Sequence, residues 1–246
     1  MASSAARSAA FLARLPAGIR RGKDLNRAAN GLPLGLPELD ELLPDGGLPR
    51  GGVVELAAAG SSLGTSIALS ACRAAQAEGR ACGGEAPWCA FIDPSSTLYA
   101  PGVVRTGVTL ERLLVARPPL EALGRVALRL VESQAFAVTV IDTIGTPGAS
   151  LGVELGVWPR IVRRLSMAVD GSAAVVLLLT DVAARRPLPL PVAMRIELAR
   201  PSAEKLVLRV AKDKQGRVSS PRSIVWARSG AEPVSRSVPL RAKVAP

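Results

Sequence analysis

A short apolar run, Val53–Ala57, leads into a loop of small residues, Ser61–Ser66, and then into the apolar spacing of a helix, Ile67–Glu78. Strand, small-residue loop and helix form the frame of a phosphate-binding loop. Backbone N–H groups and the helix N-terminus cradle phosphate there, and a lysine reaches the outer phosphates. The pattern for that chemistry is G-x-x-x-x-G-K-[ST]. On this chain the first glycine position falls on Ala58, the second on Leu63, the lysine on Gly64 and the hydroxyl on Thr65, with Gly60 inside the loop. No change of register supplies the cation, because no lysine lies between Lys23 and Lys205. Leu63 also puts a bulky side chain where the backbone must turn tightly. Taken alone, the segment reads as a generic strand–helix turn.

Other residues of chemical interest are Asp142, at the end of the apolar run Val138–Ile141, and several groups of cations. Arg160, Arg163 and Arg164 stand at i, i+3 and i+4, one face of a helix. Arg185 and Arg186 open a proline-rich loop, and Lys212 and Lys214 flank Asp213. The arginines suit either contact with phosphate or with a partner, or a solvated basic face. Phosphate binding of that kind would be salt-sensitive and blind to sequence. With three Trp, three Phe and one Tyr, a base-stacking platform is poorly supplied.

Composition excludes several classes. There is no histidine, which removes Ser-His-Asp and Cys-His catalysis and every His-ligated metal site. Cys72, Cys82 and Cys89 lack metal-ligand spacing and fit reduced thiols of a cytoplasmic protein better than a disulfide frame. No run approaches a membrane span. The net charge is +11 and the pI about 10.9, carried almost entirely by arginine, which favours acidic partners. GC-rich coding is the bland explanation of the same bias.

The elements that must position these residues alternate. Strand-like runs at 53–57, 88–93, 113–116, 137–142 and 173–180 are separated by helical spacings at 67–78, 120–133 and 158–169. Hydrophobic content of 48% with 3% aromatics gives an aliphatic core. Together these predict an α/β fold with a mostly parallel central sheet flanked by helices. After Pro191, runs at 193–199, 205–211 and 222–227 come without helices between them and predict an antiparallel meander on one edge. Residues 36–43 offer Leu36, Leu39, Leu42 and Leu43 as one helical turn. The expected organisation is an arm over 1–30, a core over 31–228 and a tail over 229–246. Met1–Arg21, rich in Ala, Ser and Arg, reads either as a docking arm or as a transit-peptide look-alike.

The lead-in Gly46-Gly-Leu-Pro-Arg-Gly-Gly-Val-Val-Glu55, the segment Ala75–Gly79, the strand Cys89–Asp93, the strand Val138–Thr143 and the Lys212-Asp213-Lys214 triplet follow one another in an order and spacing that resembles the RecA recombinase family. The resemblance implies a RecA-like core. In that family Asp142 would be the strand-end aspartate that orients a magnesium ion, and Lys212 and Lys214 would reach the nucleotide of a neighbouring subunit. Three positions depart from the family pattern: Gly64 replaces the loop lysine, Ser95 the glutamate after the strand aspartate, and Asp181 the glutamine sensor. The second DNA loop is shortened to residues 183–191 and holds Pro187, Pro189 and Pro191, each of which fixes its own φ. Phosphoryl transfer rests on positioning and charge neutralisation, so these losses predict a chain with no cofactor and no catalytic residue. Asp142 is then a packed strand-end residue or a metal-orienting one.

Among RecA relatives, a short, lysine-less chain with a shortened loop is most similar to the ImuA family of bacterial mutagenesis cassettes. That resemblance implies an accessory role in damage-induced (SOS) mutagenesis and translesion synthesis. The implied partners are RecA and ImuB, with an error-prone C-family DNA polymerase reached indirectly. Alternatives are a sequence-nonspecific DNA-binding protein and an NTPase with a nonstandard loop.

Overall fold

Val53, Val54, Leu56 and Ala57 are all fully buried because the strand they build is covered on both faces, the environment that selects continuous apolar runs. The structure is a computed structural model and describes residues 31–58, 63–145, 153, 155–183 and 189–225. In chain order the elements are α1 (Pro37–Asp40), β1 (Gly52–Ala58), α2 (Gly64–Ala81), β2 (Cys89–Ile92), α3 (Ala100–Arg105) and β3 (Leu113–Ala116). They continue with α4 (Leu123–Glu132), β4 (Val138–Asp142), α5 (Trp158–Val169), β5 (Val175–Asp181), β6 (Met194–Ser202), β7 (Lys205–Asp213) and β8 (Arg222–Val225).

The strands form one eight-stranded sheet in the order β3-β2-β4-β5-β1-β6-β7-β8. β1 runs parallel to β5, with Gly52 opposite Val175 and Ala58 opposite Asp181, and β4 runs parallel to β2 and β5. The meander is antiparallel at β6–β7 and β7–β8. The meander is thus as expected, and its first strand, β6, joins the rest of the sheet by lying parallel to β1, with Val54 opposite Met194. β1 and β6 are far apart in sequence, so no hairpin between them fixes their relative sense.

Alternate residues of each strand face two aliphatic cores. Val54 and Leu56 join α1, α2 and Val103 of α3 on one face, while Val53, Val176 and Leu178 join α4 and α5 on the other. Helix α5 shows why the spacing was readable: Trp158, Val162, Leu165 and Val169 are buried on one stripe. Helix α3 is absent from the sequence reading, which its Pro101 and Gly102 and its single buried residue, Val103, explain.

The lead-in to β1 is tight. At Gly47 a Cβ would stand 2.3 Å from the Leu32 carbonyl oxygen, beside the isolated Leu32–Leu48 bridge, and Gly51 sits at a φ of +66°. Both positions require glycine, one for close approach and one for the left-handed backbone. Asp40 closes the same segment by accepting the amides of Leu34 at 2.6 Å and Leu36 at 3.2 Å.

Candidate functional site

The C-terminal ends of β1 and β4 and the N-terminus of α2 surround a cavity of about 320 Å³. In parallel α/β sheets this is where ligands bind. Its walls include Ala58, Thr65, Thr97, Tyr99, Asp142 and Gly145. None of the described residues lining it is a lysine or an arginine. Helix α2 starts after Leu63, which makes no side-chain cap, with Gly64 buried and Thr65 exposed on its first turn. Gly60 lies outside the described residues.

Two acids sit at the strand ends beside the cavity, and both are turned onto their own backbone. Asp142 Oδ1 accepts the amides of Ile144 at 2.8 Å and Gly145 at 3.1 Å. Burial pushes its carboxyl above the usual carboxylate range, the two amides pull the other way, and the charge of Asp93 adds to the rise. Asp93 is fully buried. It accepts the amides of Thr97 at 3.0 Å and Leu98 at 2.9 Å, and the hydroxyls of Ser95 and Thr97 at 3.2 Å. Ser95, at the position where the RecA resemblance places a glutamate, is therefore turned back onto Asp93. Asp181, at the sensor position, is exposed and accepts the amide of Ala183 at 2.8 Å.

A second polar network lies further along the sheet. Glu55 is 1% exposed, and its Oε1 accepts from the Thr180 hydroxyl at 2.7 Å and from Arg195 at 2.9 Å. Arg195 also meets Glu197 at 3.2 Å, and Glu197 meets Arg209 at 3.6 Å. Sequence reasoning missed this network, although a glutamate inside the run Val53–Ala57 signals a buried acid that needs a cation.

The cations singled out from sequence fall in three places. Arg160, Arg163 and Arg164 are exposed on α5, and Arg164 pairs with Glu132 of α4 at 3.4 Å. Arg185 and Arg186 lie outside the described residues. Lys212 and Lys214 separate: Lys214 is exposed, whereas the Lys212 ammonium donates to the Leu190 carbonyl of its own chain at 2.9 Å. In this chain Lys212 is thus a link between β7 and the segment before β6. Between them Asp213 holds Arg217, which also reaches Asp45 at 2.7 Å.

The strand order and the strand–loop–helix at the sheet's C-terminal ends define a RecA-like α/β protein. A solved structure of the RadB recombinase shares this fold with a TM-score of 0.61 at 16% identity, over 79% of this chain and 95% of that one. Residues 17–168 match the RecA N-terminal domain family. The chain is 38% identical to RecA of Cutibacterium acnes over 128 residues, 51% of this chain and 35% of that protein. It is 31% identical to RecA of Nocardia farcinica over 176 residues, 67% of this chain and 49% of that protein. The chain belongs to the RecA family through this N-terminal domain, and it spans between about a third and a half of the length of these curated relatives. No helix among the described residues is long and apolar enough to cross a membrane.

Proposed function

We propose that this chain is a RecA-family accessory protein without nucleotide chemistry of its own, which acts through contacts with other proteins. The observation that carries the reading is the cavity beside Thr65, whose described walls hold no cation and whose acid, Asp142, is engaged by its own backbone. These residues do not fit a nucleoside triphosphate. Its outer phosphates need a cation, which Gly64 cannot supply from the lysine position, and an ordered base, which Ser95 cannot be. The helix N-terminus alone offers only partial charge.

The resemblance to the ImuA family gives this reading its biological frame: damage-induced mutagenesis and translesion synthesis, with RecA and ImuB as direct partners and the error-prone polymerase as an indirect one. A RecA-like protomer with no competent site of its own can join the end of a RecA filament and stop its growth. The exposed Lys214 is the residue available for such a contact, since Lys212 is held by Leu190. The test is strand exchange by the cognate RecA with the full chain added at equal concentration. The reading expects inhibition that Lys214→Ala weakens. Unchanged strand exchange would sink the capping role.

A further inference from the structure

A cavity of about 520 Å³ lies where the parallel strands begin, the end of the sheet away from Thr65. The last turns of α2 and α5 and the turn into β4 wall it. Ala75, Ala135, Ala137, Ala168, Ala173 and Ala174 all line it, so side chains that stop at Cβ leave the space open. Phe136, Val169 and Val176 add larger apolar surface. On one side Pro87 closes against Gly79 of α2, where a Cβ would stand 2.5 Å from Pro87 Cδ.

One polar side chain is buried in this apolar wall. Thr139 of β4 lines the cavity and is 2% exposed. Its neighbours across the sheet are Ala90 of β2 and Val176 of β5, and neither offers a polar side chain. Its hydroxyl makes no hydrogen bond among the described residues. Among those residues only Arg200 Nε is both sealed from solvent and without a partner, so the Thr139 hydroxyl opens into the cavity. An unmet hydroxyl in an apolar wall costs free energy that a hydrogen-bonding guest recovers.

The charged residues on the wall are Arg50 and Glu78, and they hold each other. Arg50 donates to both carboxylate oxygens of Glu78, at 2.8 and 2.7 Å, and to the Ala173 carbonyl at 3.4 Å. An entering anion would have to break that pair, and an entering cation would find Glu78 taken. The chemistry of the wall therefore selects a neutral guest.

We infer that this cavity binds a neutral bicyclic heteroaromatic ring, of the size of an indole, whose hydrogen-bonding edge meets Thr139. A flat ring lies against the alanine surfaces without displacing them, and Phe136 gives it an aromatic neighbour. A few convergent polar groups in a mostly apolar concavity are the usual make-up of a small-molecule site. A fatty chain would leave the hydroxyl unmet and set its carboxylate against the closed ion pair. The inference does not rest on the loss of nucleotide chemistry, because the cavity beside Thr65 lies at the opposite ends of the strands.

The test follows 5-fluoroindole by fluorine NMR in the presence of the full chain. A saturable shift is expected, with a Kd of about 0.1–1 mM. Thr139→Val keeps the shape and deletes the hydroxyl. It is expected to weaken binding about three- to tenfold while melting no lower than the wild type. Ala168→Leu fills the space and is expected to abolish the shift, with a thermal melt to check that it is folded. Cys82 lines the cavity and is exposed, whereas Cys72 and Cys89 are buried. Its alkylation by iodoacetamide is expected to slow at saturating 5-fluoroindole in the wild type and to be unaffected in Ala168→Leu. Three results would each overturn the inference. One is the absence of a saturable shift up to about 5 mM. Another is binding indifferent to both variants with Cys82 unprotected, which would put the ring elsewhere on the protein. The third is tighter binding of 5-fluoroindole-2-carboxylate than of 5-fluoroindole, which would make the guest an anion.

Discussion

The Oδ1 atom of Asp142 accepts the amide N–H of Ile144 at 2.8 Å, so the acid at the end of β4 closes the turn that follows it. Its burial raises the carboxyl's pKa in the folded state above the usual carboxylate range. A carboxyl shifted this way binds its proton more readily folded than unfolded. It therefore weakens the protein as pH rises through that window, and the penalty is absent below it. Asp142→Asn keeps the oxygen acceptor and removes the charge. The variant is expected to match or exceed the wild type in urea denaturation at pH 7, with the difference shrinking in acid. Asp142→Ala leaves two amides without their acceptor and is expected to cost about 1–3 kcal/mol. An Asp142→Asn protein that is strongly destabilised at neutral pH would contradict this role.

Arg217 joins two distant parts of the chain, Asp45 before β1 and Asp213 at the end of β7. Burial works against ionisation of Asp213, but the guanidinium and the amides of Arg217 and Gln215 outweigh it and hold the carboxyl below its usual range. A depressed carboxyl adds stability above its unfolded pKa and loses it as pH falls through the folded value. Arg217→Met is expected to cost about 1–2 kcal/mol at pH 7, because the arginine is partly exposed and its pairs are screened. The gap to the wild type is expected to close in acid. Chemical denaturation at pH 7 and below pH 3.8 checks both halves.

The two lysines around Asp213 are expected to fail differently. Lys212→Met removes a charge-assisted bond to the Leu190 carbonyl and is expected to lower stability by about 1 kcal/mol, since the group is only partly buried. The Lys214 side chain is exposed and makes no hydrogen bond or ion pair among the described residues, so Lys214→Met is expected to stay within about 0.5 kcal/mol of the wild type. In strand exchange the order is expected to reverse if the proposed capping holds: Lys214→Met is expected to weaken inhibition of RecA, and Lys212→Met, at a temperature where it is folded, to retain it. Equal loss of inhibition in both would contradict the assignment.

The parts of the fold that sequence makes legible are those with a strong period or an unbroken apolar run. Trp158, Val162, Leu165 and Val169 mark one helix face, and Val138–Ile141 mark a strand covered on both sides. The sense of β6 is invisible in its residues, because alternation along a strand says nothing about the direction of its neighbour. The site is legible in what Gly64, Ser95 and Asp181 are, since their types limit their chemistry. It is not legible in where groups point: Lys212 finds a backbone carbonyl 22 residues away, and Arg217 an aspartate 172 residues away. The close contact of α4 with α5 is not legible either, because only the fold brings Ile161 against Gly124.

The central claim, that this RecA-family domain has no nucleotide chemistry of its own, is tested most directly by calorimetric titration of the full chain with magnesium ATP, followed by phosphate release in the same samples. The account predicts no saturable heat, a Kd weaker than about 1 mM, and no phosphate above the blank. Saturable binding near about 10 μM accompanied by hydrolysis would contradict it and would make the protein an NTPase with a nonstandard loop.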